Sequence, residues 1–379
     1  MSLLSSDEET LLNTVLEASL RTGMQASVVG GFPRDMLFSH LFASKASVDK
    51  DIDFLIEGDA GAFCQAVQSV LGGKIHIFPE FLTAKITDPD TLASIQEVDF
   101  ASARSEVYTS PGQLPEVSSA TLEKDLARRD FTINAMAIRL EDLLAAQKKG
   151  ERQFVRLSSS LIDPFSGKDD LKNRIIRVLH INSFKDDPTR IFRALRYAAR
   201  YNFQLEEKTL QLLNESIERR DLREISSYRI LTELKKIFRE NDYYKAICLV
   251  LEVGALKDLG ITDTERLDEF VSDLKLMKTL SLKNCSDLAY KTALRIFYFY
   301  GVPDQRKNEY LRMKLGKKFI LRAEQDEKFK MGEPIEKVSD EGLSFLLIRF
   351  YNQKAIFPAL MEEGIKRQLL AAPPDSHAK

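Results

Sequence analysis

Residues 48–56 read Val48-Asp49-Lys50-Asp51-Ile52-Asp53-Phe54-Leu55-Ile56, three carboxylates at alternate positions running into an apolar stretch. A strand turns successive side chains to opposite faces, so Asp51 and Asp53 share one face, about 6.6–6.8 Å apart along the chain. Ile52, Phe54 and Ile56 point the other way, toward a core. Two carboxylates fixed at that spacing repel each other unless a cation sits between them. An all-oxygen donor set favours Mg²⁺ or Mn²⁺, with water and substrate phosphates completing the shell.

The surroundings of this strand determine the fold class. Upstream, apolar positions Leu11, Leu12, Val15, Leu16 and Leu20 recur at helical spacing before Gly23, predicting an N-terminal helix over 7–20. β-rich runs follow at 26–29, 51–56, 74–78, 81–87 and 95–101, separated by helix-like stretches at 33–42 and 59–71. From about residue 187 the pattern is helical almost throughout. The expectation is an α+β chain in which a head with a mixed β-sheet (1–140) precedes an all-helical neck and body (141–255) and a helical body and tail (256–379). The last residues, AAPPDSHAK, read as a disordered tail.

Composition narrows the function classes. The chain has 379 residues, 44% hydrophobic, with a net charge of −2. No run approaches the roughly 18–20 apolar residues that span a bilayer, and the N-terminus carries acids where a secretory leader has bases. A cytoplasmic protein without membrane contact is expected. Cys64, Cys248 and Cys285 lack the spacing of a disulfide framework or a zinc site and read as buried thiols. The first 120 residues are acidic and the next 120 basic, which suits a metal-binding region beside a phosphate-binding one; unequal solvated helix faces would give the same asymmetry.

Three further stretches bear on the chemistry. In "VVGGFPRD" a β run meets Gly30 and Gly31 and then a helix, an arrangement that brings free N–H groups to a phosphate; a plain tight turn is the alternative. Asp99, in "IQEVDFASAR", supplies a third acid from another strand, as a two-metal phosphoryl-transfer centre requires. Arg128 and Arg129, in "RRDFTINA", present adjacent guanidiniums suited to a polyphosphate, with Asp130 and Asn134 able to bond sugar hydroxyls.

Together with "LIDPFSGKDDLKNRIIRVL" and "DDPTRIFRALRYAARYNF", these stretches occur in the order that marks one family. From about residue 25 to 240 the sequence resembles the bacterial class II tRNA nucleotidyltransferases and poly(A) polymerases of the polymerase-β superfamily. The resemblance implies a polymerase-β-like head in which Asp51, Asp53 and Asp99 bind two Mg²⁺. It implies that Gly30, Gly31, Arg34 and Asp35 meet phosphate, and that Arg128, Arg129, Asp130 and Asn134 hold ribose and triphosphate. The family's base-selecting Glu-Asp-x-x-Arg becomes Asp186-Asp187-Pro188-Thr189-Arg190 here, with Asp for the first Glu. Asp187 and Arg190, three apart, would share a helix face. A carboxylate accepting an exocyclic amine and a guanidinium donating to the adjacent ring nitrogen would select cytosine and adenine over uracil and guanine. Asp187 before Pro188 is also a good helix N-cap, the competing local reading.

Arg193, Arg196 and Arg200 form a basic stripe for triphosphate or tRNA phosphates, or a solvated face over a core. Arg229 and Glu233 are spaced for a surface ion pair. The implied partners are a tRNA 3′ end, CTP and ATP, with no obligatory protein partner, and the implied activity is CCA addition. A-only addition is the first alternative, CC addition and poly(A) synthesis the next. An RNA-binding protein on a degenerate transferase scaffold is the non-enzymatic reading. The polar stretch 103–130 stands where the family has a flexible loop that CC-adding members have shortened, which counts against CC-only addition. The basic segment 306–328 could grip tRNA, or be an ordinary amphipathic helix pair.

Overall fold

The computed structural model describes residues 5–42, 52–108, 112, 115–147 and 159–258, with shorter pieces at 271–272, 275, 343 and 357–367. Asp49, Asp51, Cys285, His377, the 306–328 segment and the 371–379 tail lie outside the described residues. The chain divides into two units. One comprises residues 1–187 and 203–212, the other residues 188–202 and 213–379.

In the first unit, helix α1 (Ser6–Thr22) begins at a capping box in which Glu8 N donates to Ser5 Oγ (3.3 Å) and Ser5 N to Glu8 Oε2 (2.6 Å). It stops at Gly23 in the left-handed region. Strand β1 (Gln25–Val29) leads into α2 (Gly31–Phe42), then β2 (Asp53–Glu57) and α3 (Ala60–Leu71). Asp59 caps α3, accepting from Gly61 N (2.8 Å) and Ala62 N (3.2 Å). Next come β3 (Lys74–Phe78), β4 (Thr83–Thr87), β5 (Glu97–Ser102), and the paired strands β6 (Arg104–Val107) and β7 (Glu116–Ser119). Helix α4 (Leu122–Ala127), a 3-10 turn at Thr132–Asn134, β8 (Ala137–Arg139), α5 (Leu140–Gln147) and β9 (Leu161–Ile162) follow.

Seven strands form one sheet in the order β3-β4-β5-β2-β1-β8-β9. Only β2 and β5 run parallel; the other neighbours are antiparallel. One sheet face is covered: Ala26, Val28, Phe54, Ile56, Ala84, Ile86, Val98 and Phe100 join Leu11, Leu12, Val15, Phe63, Val67 and Leu143 in one buried cluster. The alternation predicted for Ile52, Phe54 and Ile56 holds, since all three belong to it. The other face is not simply open to solvent. Leu55, Val29, Ala103, Leu122, Leu126, Ala135 and Ala137 form a second cluster there, so β2 is two-sided core beyond Asp53. That residue marks where the second face becomes polar.

Three expectations need correction. The unit holding the sheet does not end near residue 140: β9 pairs with β8, and Ile175–Ile176 pairs with Gln204–Leu205 in parallel. The polar stretch after β5 is not a continuous loop, because β6 and β7 pair from Arg104–Ser119 to Val107–Glu116 before α4 begins. At its far end Gly112 N donates to the Asp186 carbonyl (3.3 Å). Glu233 pairs with Lys236 (2.7 Å), one helical turn along, and is buried rather than at the surface.

The second unit contains the helices Arg190–Tyr201, Ser227–Phe238 and Tyr243–Glu252. Tyr197, Tyr201, Ile230, Leu234, Ile237, Ile247 and Val250 supply buried surface. No described helix is long and apolar enough to cross a membrane.

Candidate active site

Asp53 opens β2, and Asp99 lies directly opposite it on the parallel neighbour β5. Opposed residues in a sheet point to the same face, with strands about 4.8 Å apart. The two carboxylates therefore stand side by side on the polar part of the second face. On the far side of β5, Lys85 of β4 is the register partner of Asp99. Its ammonium lies 3.3 Å from Asp99 Oδ1 and also hydrogen-bonds Glu97 Oε1. Burial, above all, pushes the Asp99 carboxyl up to about 6; Lys85 opposes the rise, while the charges of Glu97 and Asp53 add to it. Cys64 is a buried thiol, as expected, and burial pushes it up to about 12.

The Gly-Gly turn closes over this pair. Val29 is paired with Asp53 across the β1–β2 ladder, so the next residue, Gly30, leaves the strand beside the carboxylate. Its φ is +69°, and a methyl group there would lie 3.0 Å from Arg129 Nη1 and 3.7 Å from Asp53 Oδ2. The left-handed backbone favours glycine, and a methyl here would also push the Arg129 guanidinium aside. A single position thus brings the turn, the Asp53 carboxylate and the Arg-Arg motif together.

Behind the turn, four expected site residues join in one buried network. Arg34 forms a two-pronged ion pair with Asp35, Nε to Oδ1 at 2.8 Å and Nη2 to Oδ2 at 2.9 Å. Its Nη1 donates to Asn134 Oδ1 (2.5 Å), and Asn134 Nδ2 donates to Asp130 Oδ1 (3.0 Å). Asp130 also accepts from Phe131 N (2.9 Å). All four are at most 7% exposed. These bonds tie α2 to the 132–134 turn, and Gly31 lies at that junction, where a methyl would meet Arg34 Nη2 at 3.4 Å.

The two arginines differ in their surroundings. Arg128 pairs with the fully buried Asp125 (2.6 Å) and with Glu106 on β6 (2.6 Å), fastening the β6–β7 hairpin to α4. Arg129 shares Asp125 (3.0 Å) but extends to the Asn134 carbonyl (3.4 Å) and the Gly30 turn. The "LIDPFSGKDD" stretch supports this turn from below. Asp163 accepts from Gly167 N (2.7 Å) and Lys168 N (2.9 Å), and a methyl at Gly167 would collide with the Thr132 carbonyl at 2.2 Å. Asp170 accepts from Thr132 Oγ1 (2.7 Å) and pairs with Arg177 (2.9 Å).

Residues 26–177 match the model of the poly A polymerase head domain. Residues 202–259 match a segment described as the probable RNA and SrmB-binding site of polymerase A. The chain belongs to the tRNA nucleotidyltransferase and poly(A) polymerase family. An A-adding tRNA nucleotidyltransferase of Halalkalibacterium halodurans is 39% identical over 241 residues, 63% of this chain and 51% of that protein. One from Aquifex aeolicus is 30% identical over 355 residues, 91% of this chain and 40% of that protein. A solved tRNA nucleotidyltransferase, complexed with a primer tRNA and an incoming ATP analogue, has a TM-score of 0.63 at 28% identity, covering 93% of this chain and 98% of that one. The chain spans about half the length of the first of these relatives and less of the second.

In the stretch matching the family's base-selecting motif, local structure departs from the helical spacing argument. Asp187 ends the short helix Ser183–Asp186 in an extended conformation, whereas Arg190 is the first residue of the helix Arg190–Tyr201. The two are not on one helix face. Asp187 is not that helix's N-cap either: Thr189 holds the position and its side chain makes no capping bond. Proline at 188 explains the shift, since it disfavours helical geometry in the residue before it.

The basic stripe is not a solvated face. Arg196 is 5% exposed; it pairs with Glu240 (3.1 Å), and Arg200 shares that carboxylate (2.5 Å). The guanidiniums of Arg193, Arg196 and Arg200 lie 5.7, 4.7 and 5.7 Å from the centre of the Tyr197 ring. Sequence reasoning missed Lys85, Glu97, Asp125 and Glu106. A signal existed for Glu97, which alternates with Asp99 as Asp51 does with Asp53.

Among the described residues no three acidic, histidine or cysteine side chains are grouped to hold a metal ion. Asp53 and Asp99 supply two carboxylates on one face, and their mutual repulsion helps raise Asp99. An all-oxygen pair of this kind fits a hard divalent cation.

Proposed function

We propose that this chain is a template-independent tRNA nucleotidyltransferase, extending the tRNA 3′ end from ATP and CTP and releasing pyrophosphate. The observation that carries the reading is the convergence of Asp53, Asp99, the Gly30 turn and Arg129 on one sheet face. Opposed carboxylates beside a glycine turn and a guanidinium suit an α-phosphate under attack and a departing pyrophosphate. Asp53 and Asp99, with Asp51, would hold Mg²⁺ or Mn²⁺, which when bound lowers the pKa of an attacking hydroxyl and neutralises the triphosphate. Gly30 and Gly31 let backbone N–H groups approach the phosphates, and Arg129 offers donors to the polyphosphate. Asp130 and Asn134 would meet the ribose, and Arg34 and Asp35, bonded to each other and through Arg34 to Asn134 in a buried network, brace the glycine turn rather than meet phosphate themselves. The family resemblance would give base selection to Asp187 and Arg190, which here stand on separate elements, and phosphate contact to Arg193, while Arg196, buried against Glu240, supports the helix that carries Arg190 and Arg193. A cytoplasmic location goes with the reading.

CCA addition and A-only addition both remain within it. The family resemblance favours the first, and the relatives named A-adding favour the second. Incubation with tRNA lacking none, one, two or three terminal residues, with CTP and ATP apart and together, distinguishes them by product length. Extension of tRNA ending in CC by ATP alone, with no use of CTP on shorter tRNA, identifies A-only addition. Asp53→Ala is expected to abolish incorporation while leaving the melting temperature within a few degrees. Undiminished turnover by that variant would sink the assignment.

A further inference from the structure

The carboxylate face already contains a cation of its own. Lys85, Asp99 and Asp53 occupy one cross-strand row over β4, β5 and β2, with register pairs Lys85–Asp99 and Asp53–Asp99. Glu97 sits two residues before Asp99, on the same face of β5. Lys85 Nζ bonds both, reaching Asp99 Oδ1 at 3.3 Å and Glu97 Oε1 more closely. Two acids share its row and Glu97 lies one rung along on the same face, and a lysine ammonium is a compact point charge with three donors and no preferred plane. It therefore does electrostatically what a bound metal ion would do, at a carboxylate the metal would use.

We propose that Lys85 is the resident counter-cation of this face and competes with the divalent metal for Asp99. The inference rests on the metal-binding reading of Asp53 and Asp99 and adds to it a residue that sets how tightly the free protein binds metal. Lys85 acts through Asp99, as a positioning residue. While it holds Asp99, the face has one less charge to offer a metal, so metal binds weakly until nucleotide phosphates add theirs. Glu97 gives the ammonium somewhere to remain when Asp99 turns to the metal. The side chains are 28% (Lys85), 44% (Glu97) and 42% (Asp99) exposed, so the competition is moderate and sensitive to salt.

The test is Mn²⁺ binding by the full chain without nucleotide or tRNA, followed by the electron paramagnetic resonance signal of free Mn²⁺. At low salt, Lys85→Met is expected to bind Mn²⁺ about three- to tenfold more tightly than the parent, with Lys85→Gln alike and Lys85→Arg within about twofold of it. The difference should shrink as salt approaches about 1 M. Circular dichroism melts confirm which variants are folded, and either neutral variant suffices. Equal affinity in a folded neutral variant overturns the proposal. So does weaker affinity, which would make Lys85 a clamp that prepares Asp99 for metal. Asp53→Asn separates the two levels of the reading: binding that depends on Asp53 but ignores Lys85 overturns the inference alone, and binding indifferent to Asp53 overturns both.

Discussion

Gly30 is the residue of the site where backbone conformation and close side-chain approach coincide. Its φ of +69° strains any side chain, and a methyl there would press on Arg129 Nη1 at 3.0 Å and make the guanidinium shift. Gly30→Ala is expected to cost about 1–2 kcal/mol in a denaturant melt and to depress turnover by displacing the Arg129 guanidinium from the turn. The glycine pair was legible as a close-approach turn, but which side chain it meets was not. Asp99 allows a second prediction. Its carboxyl, raised to about 6 chiefly by burial, binds its proton more tightly in the folded chain than in the unfolded one. The unfolded value of 3.8 is lower, so folding stability falls as pH rises from about 4 to 6 and stays reduced above that. In EDTA, Asp99→Asn should melt higher than the parent at pH 7.5, by about 1 kcal/mol after discounting for exposure, with the gain gone near pH 4. A gain that persists at pH 4 would trace to packing instead of charge.

Among the elements, the helix Arg190–Tyr201 shows how periodicity misleads. Arginines at 193, 196 and 200 mimic a solvated basic face, yet Arg196 and Arg200 are drawn inward by one carboxylate, Glu240, beyond the end of another helix. Buried arginine is tolerable only when its charge is matched, and no local pattern announces a partner so far along the chain. Glu240→Ala would remove the carboxylate that the buried Arg196 shares with Arg200 and is expected to destabilise the second unit by about 3 kcal/mol, read as a thermal transition at lower temperature. Arg200→Met should cost much less, because Arg196 retains Glu240. The β6–β7 hairpin teaches a related lesson. Serines, glycine and prolines read as a loop, but Arg128 reaches from α4 to Glu106 and stabilises a ladder that composition alone disfavours.

For the whole molecule, the first unit is discontinuous in sequence. Phe203 packs 6.0 Å from Phe38 and 6.3 Å from Phe42, ring centre to ring centre, and Arg174 stacks over Phe42 at 4.8 Å. Gln204 N donates to the Arg174 carbonyl (2.9 Å) and Glu206 N to the Ile176 carbonyl (3.0 Å). A fragment ending at residue 187 lacks these closing contacts, so it is expected to melt earlier and less sharply than residues 1–258 in calorimetry. Equal transitions would show that the head is complete without 203–212. The sequence by itself determined the elements of that head. Strands near 26–29, 51–56, 74–78 and 95–101 and helices near 7–20, 33–42 and 59–71 all stand where alternation and 3.6-residue spacing put them, because those periods follow from local backbone geometry. It also supplied the chemistry of the site, since Asp53, Asp99, Gly30 and Arg129 are residue types whose charge or lack of Cβ is intrinsic. Only the tertiary structure decided that Asp53 faces Asp99, that Lys85 completes the row, and that Arg129 lies on Gly30. Strand register between segments that are not consecutive depends on which faces can be buried together, and that is a property of the packed sheet, not of any stretch within it.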